Sequence, residues 1–77
     1  MRELVEYLTR ALVEDPDAVR VEELEEDDAT VIEVRVAPDD LGRVIGRSGR
    51  VANAIRTVAK AAATHEDKRV LIEIVED

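Results

Sequence analysis

The sequence has no cysteine, no tryptophan and no phenylalanine, and its single aromatic residue is Tyr7. Without cysteine there is no disulfide framework, no thiolate metal site and no thiol nucleophile. Without a set of aromatic rings there is no platform on which successive nucleobases stack. The one histidine, His65, stands beside Glu66 and Asp67 with no further ligand or nucleophile, so a solvated turn is expected and neither a metal nor a cofactor is. No apolar run approaches the roughly 18 residues of a membrane span, and no signal-peptide pattern opens the chain. A soluble, cytoplasmic protein with no membrane partner is the expectation. The 77 residues suit one small domain over 1–77. A chain of that length buries only about 60% of its unfolded surface, so its core is thin.

Charge is abundant and unevenly placed. There are 11 basic against 19 acidic residues, a net −8. Residues 41 to 64 hold Arg43, Arg47, Arg50, Arg56 and Lys60 and no Asp or Glu, which is +5 in a chain of −8, so the rest carries −13. A uniformly acidic chain argues against a nucleic-acid partner; a polarised one, with a cationic element on an acidic body, does not.

Periodicity sets the element order. Met1, Leu4, Val5, Leu8, Ala11 and Leu12 recur at helical steps, with Glu6 and Arg10 four apart on another face. Asp15-Pro16 is expected to end that helix. Val19, Val21 and Leu24 suggest a strand. The acidic run Glu25-Glu26-Asp27-Asp28 suits a hairpin connection. From Thr30 the alternation is clean, with Thr30, Ile32, Val34 and Val36 on one face and Val31, Glu33, Arg35 and Ala37 on the other. A short helix follows, capped by Asp39 or Asp40, with Leu41, Val44 and Ile45 apolar. A longer helix from about Gly49 to Ala63 carries the stripe Val51, Ala52, Ile55, Val58, Ala59 and Ala62. A polar turn over 64–68 leads to a last strand, with Val70, Ile72 and Ile74 on one face. The order is α-β-β-α-α-β, an α+β fold in which the last strand returns parallel to a neighbour. The expected architecture is a three-stranded mixed sheet covered on one face by three helices.

All three glycines lie within 42–49. Gly46-Arg47-Ser48-Gly49 falls between two helices and is ringed by Arg43, Arg47 and Arg50. One reading is a helix C-cap at Gly46 and an ordinary turn. The other is an anion site. A helix N-terminus exposes unpaired N–H groups, glycines let a phosphodiester approach the backbone, and arginines bond its oxygens. The spacing excludes a dinucleotide-binding turn and a P-loop. Ser48 has no base within predictable reach and is not a nucleophile. The acidic run lacks the glycine and spacing of a calcium loop.

The run Val36-Ala37-Pro38-Asp39-Asp40-Leu41-Gly42-Arg43-Val44-Ile45-Gly46-Arg47-Ser48-Gly49-Arg50 resembles the V-I-G-x-x-G signature of KH domains, and the element order is similar to their type II, prokaryotic form. Length, the opening helix Arg2-Glu3-Leu4-Val5-Glu6-Tyr7-Leu8 and Ala61-Ala62-Ala63 resemble the KhpA family of small bacterial KH-domain RNA-binding proteins. The resemblance implies a non-enzymatic protein whose groove holds about four nucleotides of single-stranded RNA. Gly46, Arg47, Ser48 and Gly49 would clamp the backbone. Arg43 and Arg50 would grip phosphates or stack on bases. Ile45 would contact a base or else belong to the core, whereas Val44 reads as core. Arg50, Ala54, Thr57 and Ala61 share one helix flank, where small side chains leave room for bases or for a partner chain. The resemblance further implies a homodimer, or a heterodimer with a larger multidomain RNA-binding protein of the KhpB kind, acting as an RNA chaperone or post-transcriptional regulator linked to cell elongation and cell shape. Two alternatives stay open: a protein-assembly domain with little RNA affinity, which the acidic net charge favours, and single-stranded DNA binding.

Overall fold

The computed structural model describes residues 1–63 and 69–76. The polar turn expected at 64–68, with His65, lies outside the described residues.

Helix α1 spans Arg2–Leu12. Val5 is fully buried, and Met1, Leu4 and Leu8 are half-buried. Thr9 joins Val5 in the core, where the apolar stripe had no place for it. Its hydroxyl donates to the Val5 carbonyl at 2.8 Å, so the polar atom is satisfied inside its own helix. Ala11 and Leu12, expected on the buried stripe, are exposed. Glu6 pairs with both Arg2 and Arg10 at 3.5 Å. The helix stops three residues short of the expected Asp15, because Val13 turns extended (φ −95°, ψ 161°). The next two amides, of Glu14 and Asp15, then donate to the Asp40 carboxylate at 3.0 and 3.1 Å.

Strands β1 (Arg20–Glu26) and β2 (Ala29–Val36) form an antiparallel hairpin turning at Asp27-Asp28. Glu25 and Glu26, expected in the connection, are instead paired with Thr30 and Ala29. An edge strand tolerates them because both residues are exposed, and Glu25 Oε1 accepts from the Thr30 hydroxyl at 3.2 Å. Strand β3 (Arg69–Glu76) runs parallel to β2, giving the order β1-β2-β3. A two-helix crossover supplies that parallel return: α2 (Leu41–Ile45) and α3 (Arg50–Ala62).

The helices cover one sheet face. Val21, Val34, Ile32, Val36, Val70 and Ile72 pack there against Val5, Val44, Ile55 and Ala59. On the other face the register aligns Leu24, Val31 and Leu71 in one row and Glu22, Glu33 and Glu73 in the next. Val31 is only 4% exposed although no helix covers it, since a leucine from each neighbouring strand flanks it. Arg35 lies on this open face and pairs with Glu33 at 2.8 Å.

Candidate nucleic-acid interface

The loop between α2 and α3 is built from unusual backbone. Gly46 has φ 77° and ψ 174°, Ser48 φ 57° and ψ 27°, and Gly49 φ 76° and ψ 13°. Gly46 also closes α2, its N–H donating to the Gly42 carbonyl at 2.8 Å. Both readings of this residue therefore hold together: it caps one helix and shapes the loop. A Cβ on Gly46 would stand 2.5 Å from Val51 Cγ2 and 2.9 Å from the Val51 nitrogen, so the loop folds directly onto the first turn of α3. Gly49 is the N-cap of α3, no side chain caps it, and the first turn carries no acidic residue. The Arg50 N–H donates to the Arg47 carbonyl, and no side chain offsets the partial positive charge at this helix end.

Asp40 does not cap α2, as the sequence led one to expect. Its carboxylate faces the chain that leaves α1. The Glu14 N–H holds it below the ordinary carboxylate range; burial opposes this, and the Asp15 N–H and Arg43 reinforce it. The carboxylate fastens the start of α2 to the end of α1 and thereby fixes the base of the loop.

The predicted contacts separate into three groups. Gly46, Arg47, Ser48 and Gly49 form the loop, and Arg47 and Ser48 are exposed. Ile45 is 37% exposed beside it, whereas Val44 is in the core. Arg43 is turned away, its guanidinium 2.8 Å from Glu14 Oε1 and 3.4 Å from Asp40 Oδ1. Arg50 and Ala54 line an apolar groove of about 410 Å³ between α1 and α3, together with Leu8, Leu12, Val51 and Val58. Val58, expected on the buried stripe, is 42% exposed in that groove.

The opposite flank of α3 was missed. Asn53 lies by Gly49, Arg56 donates to the Asn53 amide oxygen and to the Ile72 carbonyl, and Lys60 lines a hollow of about 330 Å³ with Arg69. The steps of four, three and four from Gly49 to Lys60 are helical spacing, a signal the sequence did contain. Arg47, Arg50 and Lys60 make no ion pair among the described residues. No helix among the described residues is long and apolar enough to cross a membrane.

The family model for the KhpA/KhpB KH domain matches residues 2–74. A protein named RNA-binding protein KhpA from Caldanaerobacter subterraneus is 53% identical over 75 residues, covering 97% of this chain and all of the relative. Its namesake in Clostridium acetobutylicum is 49% identical over the same share of both chains. Among solved structures, Aquifex aeolicus Era bound to GDP and aluminium fluoride aligns with a TM-score of 0.65 at 22% identity. A complex of Era with MgGDPNP and nucleotides of 16S ribosomal RNA aligns with a TM-score of 0.61 at 21% identity. Each alignment covers 97% of this chain and 29% of the Era chain, so the likeness is one of fold over less than a third of that protein.

Proposed function

The chain belongs to the KhpA/KhpB KH-domain family, and we propose that it binds single-stranded RNA by clamping about four nucleotides at Gly46-Arg47-Ser48-Gly49. The observation that carries this reading is the loop itself. Three of its four residues have positive φ, no side chain caps the helix N-terminus it opens onto, and Arg47 within it and Arg50 beside it make no ion pair among the described residues. Such a site takes an anion through backbone N–H groups and adds charge-assisted bonds from guanidinium groups. The acidic body keeps phosphate from settling elsewhere on the surface. The names of the relatives and the ribosomal RNA in the Era complex point the same way. Roles as an RNA chaperone or post-transcriptional regulator, and in cell elongation, stand as extensions of this reading.

The test is the pair Arg47→Asp with Ser48→Asp, followed by fluorescence anisotropy with a short labelled RNA. Both side chains are exposed, so the fold survives while two carboxylates occupy the phosphate position. Binding should disappear; an unchanged affinity would falsify the clamp. With about three phosphates neutralised, log K should fall with log salt at a slope near −2.

A second reading concerns assembly and is favoured by the apolar groove between α1 and α3. Leu12 is 40% and Val58 42% exposed there, large aliphatic groups that a monomer gains nothing by leaving in water. On this reading the groove is covered by a second copy of the chain or by the KH domain of a larger relative. A dimer would also raise the avidity of a module with few phosphate contacts.

A further inference from the structure

Of the cations in residues 41–64, Arg43 alone meets a carboxylate among the described residues. Its Nη2 donates to Glu14 Oε1 at 2.8 Å. Its Nη1 donates to the Asp39 carbonyl and to Asp40 Oδ1, each at 3.4 Å. Hydrogen bonds from nitrogen to oxygen cluster at about 2.9–3.0 Å and are weak beyond about 3.2 Å. Glu14 therefore makes the strongest contact and decides where the guanidinium sits.

The backbone holds Glu14 in that place. Its own N–H donates to Asp40 Oδ1 at 3.0 Å, and Asp40 is the residue before α2. The segment leaving α1 is thus fastened to the helix that carries Arg43, and two carboxylates converge on one guanidinium. Asp40 is buried and committed to the Glu14 and Asp15 amides. The Glu14 side chain is 74% exposed, and its carboxylate bonds only to Arg43 among the described residues. It therefore adds nothing to the core, and it neutralises a cation at the base of the clamp. Gly46 continues the hydrogen-bond ladder of α2 and lies three residues beyond Arg43, about 5 Å along the axis and on the same side. Exposed side chains change rotamer in picoseconds to nanoseconds, so Arg43 is free to pass from one anion to another. Carboxylate and phosphate accept from a guanidinium in the same forked geometry.

We propose that Glu14 restrains RNA binding by holding Arg43, and that a backbone phosphate of the clamped RNA displaces the Glu14 carboxylate. The inference rests on the RNA-binding reading above and names a regulation of that same site. Binding of that phosphate is an exchange. The guanidinium gives up one anion as it gains another, so the contact adds little affinity and releases little salt. Without the Glu14 carboxylate the same phosphate would meet an unneutralised charge. An exposed pair of this kind shifts an equilibrium by about two- to fivefold.

The experiment measures anisotropy with a short labelled RNA for the wild type, Glu14→Gln, Asp15→Asn, and Glu14→Gln combined with Arg43→Gln. Glu14→Gln keeps the backbone bond to Asp40, so the fold is retained, and thermal melting by circular dichroism checks this. It should bind about two- to fivefold tighter than wild type. Its plot of log K against log salt should be steeper by about 0.7, the share of one further phosphate. Asp15→Asn removes the neighbouring exposed carboxylate, which has no cationic partner among the described residues. It reports the gain from reduced repulsion alone and should stay within about 1.5-fold of wild type, because salt screens exposed charges over about 8–10 Å. Adding Arg43→Gln should remove both the tighter binding and the extra slope. An affinity that does not rise in Glu14→Gln, an equal gain in Asp15→Asn, or a gain that survives Arg43→Gln overturns the inference and leaves the clamp standing. If neither the wild type nor any variant binds the RNA, the RNA reading itself fails.

Discussion

Helix α3 presents two flanks that differ in almost every respect. Toward α1 lie Val51, Ala54, Ile55 and Val58, lining an apolar groove. Toward β3 lie Asn53, Arg56 and Lys60, polar or cationic, with Arg69 across the hollow. The two share one origin, the loop at Gly46 to Gly49, and no more than one helix diameter separates them. The lesson is that one basic helix presents two kinds of surface, because its charges and its exposed aliphatic groups are sorted by angle around the axis. A cationic stripe beside an outer strand suits an extended polyanion. An apolar trough between two helices suits another protein.

The largest effect should come from the residue on which both flanks depend. Gly46→Ala places a methyl group against Val51 at a φ and ψ essentially reserved for glycine, which should cost about 3 kcal/mol. Chemical denaturation would show it, and RNA affinity should fall with it. If the alanine variant is as stable as wild type, the loop does not seat on α3 as described. Next, Val58→Asp and Lys60→Glu test whether the flanks act independently. The aspartate should abolish self-association in sedimentation velocity and leave the binding of each protomer to a short RNA within about twofold. The glutamate should weaken RNA binding several-fold and leave association intact, as charge reversal near a phosphate path does. Equal effects of either variant on both measurements would erase the distinction.

The smallest effect concerns Asp40, which anchors the loop from beneath. Its carboxyl is held below the ordinary value of 3.8, so its folded-state pKa is depressed. The stability it contributes is fully present above about pH 4 and is lost as pH falls through the lowered folded value. Asp40→Asn turns one acceptor into a donor facing the Glu14 or Asp15 N–H. The variant should be less stable than wild type at neutral pH, and the gap should narrow as pH drops below about 4. A gap independent of pH would mean that the ionised carboxylate is not what holds the two segments together.

Much of this was legible in the chain. The two helical stripes, the clean alternation from Thr30 to Val36 and the placement of all three glycines give the element order and the loop. The errors have a common form. Asp40 was read as a cap because capping is the local use of an aspartate, but its partners are 25 and 26 residues away. Arg43 was grouped with the other arginines by its sequence position, and the pattern could not show that Glu14, 29 residues away, pairs with it. Leu12 and Val58 satisfied the periodicity and still face solvent, because periodicity assigns a residue to a side of its helix and says nothing of how far the neighbouring helix extends over it.

The sequence by itself determined the elements, their order and the existence of a glycine-shaped, arginine-flanked turn, since these depend on spacing and backbone freedom within a few residues. Only the tertiary structure decided which flank of α3 meets α1 and which meets β3, where the Asp40 carboxylate bonds, and which arginines keep their charge available. Each of those is a distance between segments far apart in the chain, and distances of that kind are set by how helices and sheet pack rather than by any local pattern.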